Sequence, residues 1–582
     1  MNSEPMKKDL INFIEKNNLN PFNQSKTNLK LDDSIFKTRD AKSIQTKTLS
    51  HISSNFFFKE TSNLLNFFGF TKNEREIILR QEFFKSLELN NQKEKQFLRN
   101  LKKPRVTWKP RYEIVAVTED ESTFIKLKEL GCSVEFLVSD SDISNLERYD
   151  IIQVIDCDNF KILLERIPGT VFINSIDDVY LERYLETLSS WTDNFGLLRK
   201  EETSNDLNEV LEELKPLFSL ISGRENKIMT AEEVEKNLEN INEKISQRIK
   251  EMTISGDILL KILGEGKMPL EILQVVRDAI EESKISESIF NLTLPVSIDY
   301  KELEEQIKRQ SANEFTNVAE DIKRNAEKIK RIPLLLKRLS SLILFEDFTN
   351  GIFKFVTKDS VYPSISKNFH LSNAKNILLS NPSPISFQLD SFSRCSILTG
   401  ANSGGKTTLL EHIIQNITLF FLGLPIPGTV HLPIFTDVYY FAKNKGSASK
   451  GAFETLLSQM SNIKFGPSTL ILADEIEAVT EPGIAGKIIS ATADYFIKKN
   501  CFIVLATHLG HEIKKSLPQG ARIDGIEAKG LDENFNLIVD HNPVMGRLAH
   551  STPELIVERM ASLKGLIGEE YFKYLNNYLK SY

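Results

Sequence analysis

The chain has 582 residues, 41% hydrophobic and 26% charged, enough material for roughly three to five domains of ordinary size. A net charge of −7 excludes a nucleic-acid coat spread over the whole chain, and no run of about 18 apolar residues marks a membrane span. Cys132, Cys157, Cys395 and Cys501 show no CxxC pairing, which excludes a zinc framework and a disulfide scaffold, and the opening MNSEPMKKDL lacks a secretory apolar run; a cytoplasmic chain with reduced, buried thiols is expected.

Residues 1–110 read as a basic, mostly helical region with polar joints, either separate or the first part of a helical core. They hold 21 Lys or Arg against 12 Asp or Glu. Such a surplus suits phosphate contact, although a solvated helical surface explains it as well. The Phe-rich stretch Asn55 to Phe70 must be buried. It contains Phe58-x-Glu60, a triplet read here as core.

Residues 111–189 change style. Tyr112 to Val117, Ser133 to Val138, Ile151 to Asp156 and Thr170 to Asn174 are β-branched runs with helical pieces between them. This predicts a small α/β domain with a mostly parallel sheet. It has no Gly-rich phosphate loop, so a structural or partner-binding task is expected.

Residues 190–345 predict a long helical core with lever arms. Thr230 and Glu233 form a capping-box pattern. Val234, Leu238, Ile241, Ile245, Ile249 and Met252 then recur at spacings of three and four, on one stripe of a helix. A second helix carries Leu303, Ile307, Phe315, Val318, Ile322 and Ile329, with Pro333 expected to end or bend it. The pair could form an antiparallel arm or part of an ordinary bundle. Residues 321–340 carry seven basic and two acidic side chains, a run that could touch DNA or face water.

Residues 346–582 carry the chemistry. The apolar strand Ser396 to Thr399 leads into GANSGGKTT (Gly400 to Thr408) and then an apolar helix. Strand, Gly-rich loop and helix in that order are the context of the P-loop motif, and G-x-x-x-x-G-K-[ST] is matched in full. Gly400, Gly404 and Gly405 let the backbone curl so that N–H groups point at phosphate oxygens. With Ala401, Asn402, Ser403, Lys406, Thr407 and Thr408 they form the expected ATP-binding loop. Lys406 is expected at the β- and γ-phosphates and Thr407 on Mg²⁺. Ser468 to Glu475 is an apolar strand ending in two carboxylates. Asp474 suits the Mg²⁺ shell, and Glu475 suits a water-orienting base. His508 lies just past the strand Cys501 to Ala506, a position similar to that of the switch histidine that ABC-like ATPases hold near the γ-phosphate.

Together these elements resemble the MutS family. Its P-loop commonly reads TGPNxxGKST against TGANSGGKTT here, with Asn402 matched and Ala401 and Ser403 replacing Pro and Met. Its Walker B reads near DEIGxGT against DEIEAVT from Asp474 to Thr480, Glu477 replacing a glycine. Its ATH matches Ala506, Thr507 and His508. Gly446 to Met460 looks like the family signature segment, with Phe453 and Glu454 in register, Gly451 and Ala452 in place of Ser-Thr, and Ser447 or Ser449 as substitute hydroxyls. Gly525 to Met560 looks like the late strands and closing helix. The match covers residues of about 350 to 560.

The resemblance implies an ABC-like P-loop ATPase domain with C-terminal dimerisation helices in an α/β and α multidomain chain. It also implies a homodimer with two composite ATP and Mg²⁺ sites and a DNA-dependent or DNA-modulated ATP hydrolase. Such an enzyme clamps duplex, branched, bent or mismatched DNA in repair or recombination, off the membrane and with the nucleoid. With no mismatch-reading or Smr-type domain in sight, a short, archaeal-like branch is expected. The alternative is an ABC-like ATPase acting on a protein partner without direct DNA contact.

Overall fold

The computed structural model describes residues 4–23, 35–90, 94–110, 112–221, 230–252, 268–400, 405–442, 450–475, 481–531, 537–549, 552–562 and 568–580. The chain is a mixed α/β, multidomain protein with two parallel sheets. It divides into two compact units, Met1–Leu101 with Arg338–Tyr582, and Lys102–Lys337. No helix among the described residues is long and apolar enough to cross a membrane.

The first unit is built on a five-stranded sheet in the order Asp437–Phe441, Thr469–Asp474, Phe502–Ala506, Cys395–Gly400, Ala521–Ile526, parallel throughout. Its central strands are apolar on both faces, as a sheet covered on two sides requires. Alternate residues feed separate cores. Leu398, Leu472 and Val504 enter one, with the helix Lys406–Leu422. Ile397, Ile471, Ile503 and Leu505 enter the other, with the helix Pro482–Lys498. A second sheet orders Ile385–Leu389, Phe369–Ala374, Thr429–Leu432 and Ser364–Ile365.

The N-terminal residues belong to this same core. Leu10, Ile14, Phe68, Phe83 and Phe84 pack in one cluster with Phe348 and the helix Lys406–Leu422. Fully buried Asp347 accepts hydrogen bonds from the Phe57 and Phe58 N–H groups at 2.9 and 3.0 Å and from the Thr61 hydroxyl at 2.6 Å. The Phe-rich stretch is thus fixed by its backbone to a residue 290 positions away, and Phe68 is buried. Arg80 Nη1 donates to Phe421 O at 2.7 Å, satisfying a carbonyl at the C-terminus of Lys406–Leu422.

The second unit carries the smaller sheet, ordered Val134–Phe136, Ile114–Thr118, Ile151–Val154, Thr170–Phe172, again parallel throughout. Thr230 caps the helix Ala231–Glu251, accepting from Glu233 N at 3.2 Å. The stripe of that helix packs on Val276, Ala279 and Ile280 of Leu270–Glu282, with Leu303 joining. The helix Tyr300–Arg324 stops at Asn325, a short helix Ala326–Lys330 follows, and Ile332–Phe355 begins after it. Pro333 therefore sits in the first turn of a new helix, where its missing N–H costs nothing, rather than ending the earlier one. The basic run 321–340 is partly paired: Arg324 with Glu320 and Asp321, Lys330 with Asp178 and Glu327, and Arg331 with Glu213, while Lys323 donates to Phe172 O.

Candidate functional site

The carboxyl ends of three adjacent strands of the larger sheet meet at one place. Gly400 ends the strand Cys395–Gly400 at φ 135°, where a Cβ would stand 2.4 Å from Ile526 O, so only glycine fits. Gly405, at φ 90°, opens the helix Lys406–Leu422, whose first N–H groups have no partner within the helix and favour an anion. Lys406 is 3% exposed and its Nζ donates to Gly400 O at 2.5 Å, closing the loop across its ends. Thr407 Oγ1 donates to Asp474 Oδ2 at 2.5 Å. Asp474 is buried, the last residue of Thr469–Asp474.

Glu475 follows at φ 45°, a left-handed backbone uncommon for a residue with a side chain. Its N–H is held by Ala506 O at 2.9 Å, and its Oε1 lies 3.2 Å from His508 Nε2. Such local strain is tolerated where the surroundings over-determine the conformation. Here the next strand supplies both constraints. Buried Thr507 donates its N–H to Leu398 O at 3.0 Å and accepts Leu509 N at 3.0 Å, which sets the turn that aims His508.

Gly400, Gly405, Lys406, Thr407, Asp474, Glu475 and His508 are thus one constellation. Thr408 lies one position further along the same helix. Ala401, Asn402, Ser403 and Gly404 lie outside the described residues, as do Ser447, Ser449 and Glu477. Lys450–Ser461 is helical, with Glu454 exposed. A hydroxyl and a carboxylate meeting at 2.5 Å are hard oxygen donors suited to Mg²⁺, and the glycine-flanked helix start suits phosphate.

Three further residues shape the site. Asp524, fully buried in Ala521–Ile526, accepts from Ser396 Oγ at 2.6 Å, from Arg522 Nε at 3.0 Å and from Gly546 N at 2.9 Å. Asn542 Oδ1 accepts Ser386 N at 2.8 Å. The segment they hold brings His541 against Gly405, where a Cβ would lie 3.1 Å from its Nδ1. A lone Asp two residues after an Arg in an apolar strand is a legible sign of a same-face ion pair. Nothing local to His541 announces its neighbour.

No protein-family model matches the chain. It is 30% identical to the DNA-binding protein MutS2 of Pyrococcus furiosus, over 93% of this chain and 99% of that protein. It is 23% identical to Endonuclease MutS2 of Borreliella burgdorferi over 54% of this chain, and 22% identical to that of Caldanaerobacter subterraneus over 56%. The chain spans only 41% and 45% of those two endonucleases. A match at this identity running nearly end to end settles the class: the chain belongs to the MutS family. Among these relatives, the one matched along nearly its whole length is the Pyrococcus protein, a MutS2 named for DNA binding.

Proposed function

We propose that the chain is a MutS-type, ABC-like P-loop ATPase that couples ATP binding and hydrolysis to clamping of duplex DNA, including bent, branched or mismatched forms. The observation that carries it is the convergence of Lys406, the Thr407–Asp474 pair and the Glu475–His508 pair at one strand-end cluster. The relative of matching length is named for DNA binding.

Each group has a role in this reading. N–H groups at the start of Lys406–Leu422 and the Lys406 ammonium hold the phosphates. Thr407 and Asp474 hold Mg²⁺, which when bound neutralises phosphate charge. Glu475 orients and polarises the attacking water, and His508 fixes its carboxylate. His541 stands beside Gly405 at the start of that helix. In a homodimer, the helix Lys450–Ser461 would close the partner's site, and ATP would drive closure to the extent that it binds the closed form more tightly.

The test has two arms. The purified chain should take up nucleotide with magnesium and release phosphate, while Glu475→Gln should bind without turning over. DNA binding should weaken steeply with salt and favour bent or branched duplexes over linear ones. A wild type as inactive as Glu475→Gln removes the hydrolase, and equal affinity for all DNA shapes removes the shape preference. A protein-directed ATPase remains the second reading. It is favoured by the small domain, where residues 111–189 hold 17 acidic and seven basic side chains, a balance that works against phosphate contact by those residues themselves.

A further inference from the structure

The basic run at 321–340 has Arg324, Lys330 and Arg331 in ion pairs. A second run is arranged otherwise. Residues 102–110, LKKPRVTWKP without its leading Leu101, hold Lys102, Lys103, Arg105 and Lys109 and no acidic residue, and all four are exposed. Among the described residues none of the four has an ion-pair partner. The segment is neither helix nor strand.

Its backbone is nevertheless pinned. Lys102 N donates to Asn194 Oδ1 at 3.0 Å, and Asn194 Nδ2 returns a bond to Lys102 O at 2.7 Å. Six residues on, Trp108 N donates to Ser189 Oγ at 3.3 Å and the Thr107 hydroxyl to Ser189 O at 3.2 Å. Asn194 and Ser189 are themselves buried, at 3% and 1% exposure. Lys103 and Lys109 each precede a proline, which biases them to extended backbone and narrows the unfolded ensemble. The result is a strap with a fixed main chain and outward cations.

We propose that this strap is a contact surface for the phosphodiester backbone of duplex DNA. The proposal rests on the DNA-binding reading above and adds the place of contact. Lys103 to Lys109 spans up to about 20 Å when extended, and each DNA strand presents a phosphate about every 3.4 Å along the axis. A line of unpaired cations on an ordered backbone therefore faces several phosphates at once with little further loss of chain entropy. The contact carries no base information. A lipid surface would call for an amphipathic helix with an apolar face, which the strap lacks. Trp108 sits among these cations, half-buried.

The experiment compares the full chain, a Lys103→Ala, Arg105→Ala, Lys109→Ala variant and a charge-matched control, Arg148→Ala, Lys215→Ala, Lys498→Ala. Each control cation is paired with an acid. Affinity for a labelled linear duplex is titrated across salt, with thermal unfolding confirming the fold of each variant. The strap variant should lose at least about tenfold in affinity at 0.1 M salt. Its log–log salt slope should become shallower by about 0.9 per lost phosphate contact, while the control stays near wild type. Wild-type binding matched by the strap variant in affinity and slope overturns the strap. An equal loss in the control overturns it too, by showing net charge at work. No DNA binding by wild type overturns the DNA reading itself. Anionic phosphatidylserine vesicles bound by wild type and lost only by the strap variant, with DNA affinity unchanged, would assign the strap to membranes and overturn the proposal.

Discussion

Two strands of this protein end alike in sequence and differently in consequence. Thr469–Asp474 in the larger sheet runs into Asp474–Glu475, and Ile114–Thr118 in the smaller runs into Glu119–Asp120. Both strands are apolar, parallel to their neighbours and closed by two carboxylates. In the small sheet those carboxylates serve the backbone. Asp120 caps Glu121–Glu129 through Thr123 N at 2.8 Å, and Glu119 accepts Asp158 N at 3.0 Å and Asn159 Nδ2 at 3.1 Å. In the large sheet Asp474 meets Thr407, and Glu475, turned by its positive φ, meets His508. An acidic pair at a strand end is thus chemical or structural according to what the next loops bring to it.

The sharpest way to break that contrast is Glu475→Gln. Loss of the base should lower phosphate release by about 10² to 10⁴ while nucleotide uptake persists, measured by single-turnover release and by equilibrium binding. A variant that keeps wild-type turnover would place Glu475 with Glu119, as a turn-former.

A second effect belongs to the small domain. Glu182 is fully buried, and burial pushes its carboxyl up from 4.5 to about 7. The folded form prefers the protonated acid, so the unfolded chain releases its proton first as pH rises. Stability contributed by this group is therefore greatest below about pH 4.5, falls between 4.5 and 7, and is flat above. The full difference is worth up to about 3 kcal/mol. Both tryptophans, Trp108 and Trp191, lie with that domain in the unit Lys102–Lys337, so fluorescence-monitored urea unfolding reads that unit selectively. Glu182→Gln should remove most of that pH dependence and raise the midpoint at pH 7.5. An unchanged slope between pH 5 and 7 would refute the assignment.

A third, smaller effect returns to the site. Thr407→Val deletes the hydroxyl that meets Asp474 while keeping side-chain shape. Roughly 10- to 100-fold more magnesium should be needed for half-maximal turnover, by analogy with the loss of groups that orient metal ligands. No change in the magnesium requirement would remove Thr407 from the metal's surroundings.

Much of this site was legible because its signals are local. Gly400, Gly405, Lys406 and Thr407 fall within eight positions, and the strand-plus-carboxylate pattern at Asp474 needs only its own neighbours. The four strands of the small sheet were legible for the same reason, being short β-branched runs. What stayed hidden was set by distant partners. Phe58 and Glu60 gave no hint that Asp347 would fix the Phe57 and Phe58 amides. The run around Lys330 suits DNA or water alike in sequence, and only the fold brings Asp178 beside Lys330 and Glu213 beside Arg331. Pro333 suggests the end or a bend of the helix through Ile329, yet it lies in the first turn of the next one; a proline signals either equally, and only the break at Asn325 decides between them.

The smallest effect completes the comparison from the other side. Glu119 stands just past its strand as Glu475 does, yet its oxygens face the N–H groups of Asp158 and Asn159, not a histidine beside a glycine-flanked helix start. Those bonds lie at an exposed surface, where water replaces part of what is lost. Glu119→Ala should therefore cost only about 1 kcal/mol of the small domain's stability, read by the same tryptophan signal. Phosphate release and the magnesium requirement should not move. A hydrolysis defect in Glu119→Ala without loss of stability would mean that the two acidic strand ends share a function, and that the contrast drawn from their hydrogen bonds is mistaken.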